Sequence, residues 1–103
     1  MKILQSRLFE RKVKKFNAQE KKVLDEQVLK IAEDPSVGFE KKGDLRGVFV
    51  HKFKIKTLQY LLAYRIIDNN LELIMIAPHE NYYRTLKSYL RKRTAKEKPQ
   101  HFL

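Results

Sequence analysis

Residues 43–84, GDLRGVFVHKFKIKTLQYLLAYRIIDNNLELIMIAPHENYYR, decide the fold. In residues 48–56 apolar and polar side chains alternate. On a pleated strand this puts Phe49, Phe53 and Ile55 on one face, with His51 among them, and Val50, Lys52, Lys54 and Lys56 on the other. One face is core and the other is cationic. Residues 59–67 are nearly all apolar, as expected of a strand in the middle of a sheet, and Asp68-Asn69-Asn70 makes a tight hairpin turn into residues 71–77. Three such strands in succession predict an antiparallel meander. Pro78 ends it, and a helix from about Glu80 carries Tyr82, Tyr83, Leu86, Tyr89 and Leu90.

The chain before this run reads as cover for one face of the sheet. Ile3 and Leu4 suit a short strand, and Ser6 is placed to cap a helix from Arg7 that turns Leu8, Phe9, Val13 and Phe16 to one side. Asn17 with Glu20 forms a capping-box pattern, so a second helix starts at Ala18 and buries Leu24, Val28 and Ile31. Asp34-Pro35 stops it near Glu33, because proline denies the preceding residue a helical conformation. Residues 36–47 read as loop, with Leu45 tethering them to the core. The expected architecture is α+β: an N-terminal strand and helical hairpin packed on an antiparallel sheet of about four strands, with a C-terminal helix. Residues 1–91 form the single domain, and residues 92–103, starting with the basic run KRTAKEKP, form a tail expected to be frayed or ordered only on a partner.

With 103 residues, one hydrophobic core is the size that fits. The absence of cysteine excludes disulfides, thiolate metal sites and thiol nucleophiles and suits the cytoplasm, and no apolar run approaches the roughly 20 residues that span a bilayer. Lys plus Arg number 23 against 12 Asp plus Glu, a formal charge of +11. Such an excess on so small a domain concentrates polyanions around it: RNA, DNA or an acidic protein.

Candidate chemistry gathers at two places. Lys52, Lys54 and Lys56 stand in a row whose mutual repulsion an anion would relieve, with Arg46, Arg65 and Arg84 nearby in the sequence. The segment from His79 to Arg84 follows the last strand and opens a helix, where free backbone N–H groups favour anions. Histidine, lysine, arginine and tyrosine together can cleave RNA without a metal: a base for the ribose 2′-hydroxyl, cations for the phosphorane and an acid for the leaving 5′-oxygen. A tyrosine can instead stack on a base, and of Tyr82 and Tyr83, about 100° apart on a helix, one is expected to be buried. His51, on the apolar face, reads as a core histidine.

The order of these features, LRG at residues 45–47, K-x-K at Lys52 and Lys54, YRIID at residues 64–68 and HENYYR at residues 79–84, resembles the RelE/ParE superfamily of bacterial type II toxin–antitoxin toxins over about residues 2–90. The resemblance implies an acidic cognate antitoxin in a hetero-oligomer, and a cytoplasmic toxin that meets the ribosome and cuts messenger RNA with no cofactor or metal. It implies catalytic roles for Lys52, Lys54, His79, Tyr83 and Arg84, and substrate binding by Arg46, Lys56, Arg65, Tyr82 and Lys87. One position departs. RelE-type nucleases carry an arginine three residues before the strand tyrosine, and here that residue is Leu61, with Arg65 of the same parity as the candidate replacement. The alternative that Leu61 favours is a ParE-like toxin that inhibits DNA gyrase and cuts nothing.

Overall fold

In the computed structural model, which describes residues 1–80, 82–92 and 100–102, one mixed sheet separates two apolar layers. The elements are β1 (Ile3–Gln5), α1 (Arg7–Val13), α2 (Ala18–Glu33), β2 (Phe39–Glu40), β3 (Phe49–Ile55), β4 (Leu58–Ile67), β5 (Asn70–Pro78), α3 (Tyr82–Lys92) and β6 (Gln100–His101). The sheet order is β2-β3-β4-β5-β1-β6. The meander β3-β4-β5 forms its centre as the sequence pattern predicts. The sheet is wider than four strands, because β2 and β6 each add two residues, and β1 joins β5 in parallel. Two-residue strands carry no alternation to read, and a parallel partner cannot be told from an antiparallel one in three residues.

Both N-terminal helices start where their caps sit. The Ser6 hydroxyl accepts from the Phe9 N–H at 3.0 Å, and Asn17 and Glu20 complete a reciprocal capping box. Leu24, Val28 and Ile31 of α2 and Phe9 of α1 then bury against Phe53, Ile55, Leu62, Tyr64, Leu71, Leu73 and Ile76. On the opposite face α3 lays Tyr82 and Leu86 over Val50, Leu61, Ala63, Ile74 and Met75, with Leu45 and Val48 beside them. Asp68 and Asn69 both adopt positive φ, 51° and 62°, as a two-residue turn between Ile67 and Asn70 requires.

A bulge in β5 sets this division. Ala63 pairs with Met75 but Tyr64 pairs with Leu73, so Ile74 is the extra residue and both Ile74 and Met75 face α3. Carbonyls at a bulge lose ladder partners, and here side chains meet them. The Ser6 hydroxyl donates to the Ile74 carbonyl at 2.6 Å, and the Tyr82 hydroxyl donates to the Met75 carbonyl at 2.9 Å.

At the far edge, Gln100 and His101 pair with β1, and Phe102, 9% exposed, packs edge-on against Phe9 under the Lys21 ammonium. The expectation of a frayed tail is therefore corrected for residues 100–102, where an aromatic residue supplies the burial that offsets ordering entropy. Residues 93–99 and 103 of that tail lie outside the described residues.

Since Ser6 both caps α1 and satisfies the bulge, Ser6→Ala is expected to lower unfolding free energy by about 1–3 kcal/mol, read as a lower urea midpoint at unchanged slope.

Candidate functional site

The alternation read in β3 holds. Phe49, Phe53 and Ile55 meet the helical layer, while Lys52 and Lys54 are exposed on the other face. Pairing fixes what lies beside them: Leu61 opposite Lys52 and Gln59 opposite Lys54 on β4, then Ala77 opposite Leu61 on β5. Paired residues share a sheet face, so Lys52, Leu61 and Ala77 form one row, about 10 Å across two strand spacings. Because β3 and β5 run the same way, their C-terminal ends meet at one end of the sheet. That end gathers Lys54, Gln59, exposed His79 and the start of α3, whose Tyr82 N–H donates to the His79 carbonyl at 3.2 Å. Gln59 gave no signal in the sequence, since only register places it beside Lys54.

Other expected members are not brought to this end. Lys56 leaves the strand and occupies the β3–β4 turn at φ 57°, so the row contains two lysines with a third at its tip. Arg65 does share the face of Leu61, but lies four residues away, roughly 13 Å along the strand. There its Nε donates to Glu72 Oε1 at 2.8 Å, and Glu72 is 1% exposed. An arginine holding a buried carboxylate is not free to replace one at position 61. Leu61 itself is fully buried in the layer under α3.

Tyr82 is corrected as a substrate contact. It is 1% exposed, its hydroxyl is engaged by the Met75 carbonyl, and burial raises its pKa far above the ordinary tyrosine range. As helix geometry requires, its neighbour is the more open one: Tyr83 is half-buried, edge-on to Tyr82, with the Lys41 ammonium 4.4 Å from its ring centre. Lys41 was missed because the loop that carries it has no periodic pattern. Arg84 and Lys87 line a shallow groove with Ser88 and Arg91 on the side of α3 opposite Tyr82 and Leu86, facing away from the strand lysines. Arg46, exposed, follows the turn at residues 43–45 and bridges to Lys41, at the other end of β3 from Lys54.

His51 lies half-buried on the helix-covered face. Its Nε2–H donates to Gln27 Oε1 at 2.7 Å, its ring stacks on Phe53, and burial followed by the Lys30 charge lowers its pKa. The surviving group at the sheet end is thus Lys52, Lys54, Gln59 and His79: two cations, an amide and an imidazole beside a helix start.

This fold is that of a bacterial toxin. The E. coli RelE chain in the intact RelBE toxin–antitoxin complex superposes with a TM-score of 0.61 at 18% identity, over 76% of this chain and 95% of that one. The isolated E. coli RelE toxin gives 0.60 at 17% identity, over 84% and 95%. A family model for the ParE-like toxin of type II bacterial toxin–antitoxin systems matches residues 3–87, and the chain belongs to that family. The comparison with curated proteins found no match. Among the described residues, no helix is long and apolar enough to cross a membrane.

Two outcomes follow from the geometry. Arg65→Met is expected to cost about 1–3 kcal/mol of stability by removing one partner of the buried Glu72 carboxylate, below the buried-pair range because Arg65 is 27% exposed, read as a lower urea midpoint. Unfolded His51 takes up a proton near its ordinary pKa and the folded residue resists it. The unfolded state therefore binds more protons, and stability falls as pH drops from about 7 to 5. His51→Gln should flatten that decline in urea titrations at successive pH values.

Proposed function

We propose that this toxin arrests growth by cutting messenger RNA, and that its active groups are those at the C-terminal end of β3 and β5. The observation that carries the reading is the pair Lys52 and Lys54, side by side on an exposed sheet face with His79 across two strands. Lysines two apart on one strand are about 7 Å apart, the scale of a phosphate group with its ester oxygens. An RNA phosphate lying over them relieves their repulsion. In this reading His79 takes the proton of the ribose 2′-hydroxyl and the 2′-oxygen attacks phosphorus. Lys54 and Lys52 stabilise the charge that grows on the phosphoryl oxygens. The bond to the 5′-oxygen then breaks, a lysine ammonium supplies its proton, and the products are a 2′,3′-cyclic phosphate and a 5′-hydroxyl. Gln59 adds neutral hydrogen bonds at the same spot.

The message is taken to be ribosome-bound, and the toxin to be held inactive by an acidic antitoxin. A net charge of +11 suits both the ribosome and such a partner. The E. coli relative of the same fold is seen in a toxin–antitoxin complex. The buried Leu61, together with the ParE-like family, favours a second reading in which the chain binds gyrase and cleaves nothing.

Induction in a bacterial host with separate pulse labels distinguishes the two. Early loss of protein synthesis, with translated messages cut, supports the nuclease; early loss of DNA synthesis and of supercoiling, with translation intact, supports gyrase. Lys54→Ala and His79→Ala should each lower message cleavage by about 100-fold or more while antitoxin binding persists. Full toxicity of both variants would overturn the site.

A further inference from the structure

Reading a single-stranded RNA requires an exposed aromatic or planar face on which a base can stack. None of the three tyrosines of α3 is exposed: Tyr82 is buried, Tyr89 is half-buried, and the half-buried Tyr83 ring stands edge-on to Tyr82 with the Lys41 ammonium over it. Of the six phenylalanines and five tyrosines, Phe39 alone is exposed among the described residues, at 71%.

Its position is specific. Phe39 pairs with Val50, so its ring stands on the sheet face that carries Lys52 and Lys54. Lys52 is its diagonal neighbour across the strands, with Cα atoms roughly 7–8 Å apart. Lys41, two residues along the same strand direction, lies on that side too and reaches the Tyr83 ring. The ring therefore stands between two ammonium groups at the rim of the cationic face.

The mounting is firm for so short a strand. The Tyr64 hydroxyl accepts from the Gly38 N–H at 2.9 Å and donates to the Pro35 carbonyl at 2.6 Å, and Glu40 Oε2 accepts from the Gly47 N–H at 3.1 Å. A side chain at position 38 would meet the Tyr64 oxygen at 2.6 Å, so Gly38 is what permits this anchor. An exposed ring on a sheet edge is accessible to a partner, and the charges flanking this one select an anionic partner.

Resting on the RNA reading above, we propose that Phe39 is the platform on which a base of the single-stranded substrate stacks, with Lys41 and Lys52 meeting the phosphates on either side. Stacking needs no hydrogen bonds to the base, so Phe39 contributes affinity with little sequence preference.

The test uses the full chain, a fluorescein-labelled single-stranded RNA dodecamer, and message cleavage on translating ribosomes. Phe39→Leu keeps an apolar side chain and removes the ring; it should weaken RNA binding about 10-fold and raise KM more than it lowers kcat. Phe39→Tyr should stay within about 2-fold of the parent. The chain has no tryptophan, so the emission of Phe39→Trp reports this position alone and should be quenched by the RNA. If Lys52→Ala and Lys54→Ala weaken RNA binding while Phe39→Leu does not, the stacking role is overturned and the RNA reading stands. If the unaltered chain neither binds RNA nor cuts messages, both fall. Quenching of Phe39→Trp by the acidic antitoxin, with none by RNA, would assign the ring to a protein interface and overturn the proposal.

Discussion

Two carbonyl oxygens in the bulge of β5, those of Ile74 and Met75, hold the arrangement together. A strand that kept strict alternation would send Ile74 and Met75 to opposite faces. The extra residue sends both to α3, while Leu71, Leu73 and Ile76 serve the layer under α2. The oxygens that the bulge exposes are then met by Ser6, which starts α1, and by Tyr82, which starts α3. Each helix is thereby tied to the same point of the sheet by the residue at its first turn. Since the Ser6 N–H also donates to the Leu73 carbonyl at 2.9 Å, the chain between β1 and α1 has little freedom there. What the bulge positions is the start of α3, and with it the end of the sheet at which His79 and the strand lysines meet.

Much of this was legible in the residues, for identifiable reasons. The faces of β3 could be read because lysine and phenylalanine alternate in it, and α1 and α2 because their caps and stripes agree. The Asp68-Asn69 turn could be read because those residues tolerate positive φ. The bulge could not. Residues 71–77 are apolar at nearly every position, so the sequence carries no parity that a single inserted residue could disturb. The same blankness hid which tyrosine is buried: helical spacing says that one of Tyr82 and Tyr83 turns inward, and only the position of the Met75 carbonyl says which.

The basic residues illustrate a second limit. Charge and parity placed Arg65 on the correct face, but not at the correct place along it. The acidic residue that captures it, Glu72, lies in a strand otherwise so apolar that its carboxylate must find a partner to be buried at all. Likewise Arg84 and Lys87 adjoin the tyrosines in sequence, yet the helix turns them outward. Phe102 falls outside the matched family region, residues 3–87, and nothing local to a basic tail announces that its last aromatic residue closes a core.

These placements narrow what chemistry the face can perform. With Leu61 buried, Arg65 paired roughly 13 Å away and Arg84 on the outer side of α3, no arginine among the described residues stands beside the strand lysines. A guanidinium would grip a phosphate with two parallel hydrogen bonds and fix its orientation; lysine ammonium groups act as mobile point charges that attract without orienting. On the nuclease reading, alignment of the 2′-oxygen, phosphorus and 5′-oxygen must then come from contacts outside the phosphate itself. A base held against a rigidly mounted ring, one strand over from Lys52, keeps the strand on this face while those contacts form. On the gyrase reading no such alignment is needed, and an exposed ring among lysines is simply part of a protein-binding surface. The two functions therefore differ in what they ask of Phe39: a nuclease needs its flat face, and a binding protein needs only its apolar area.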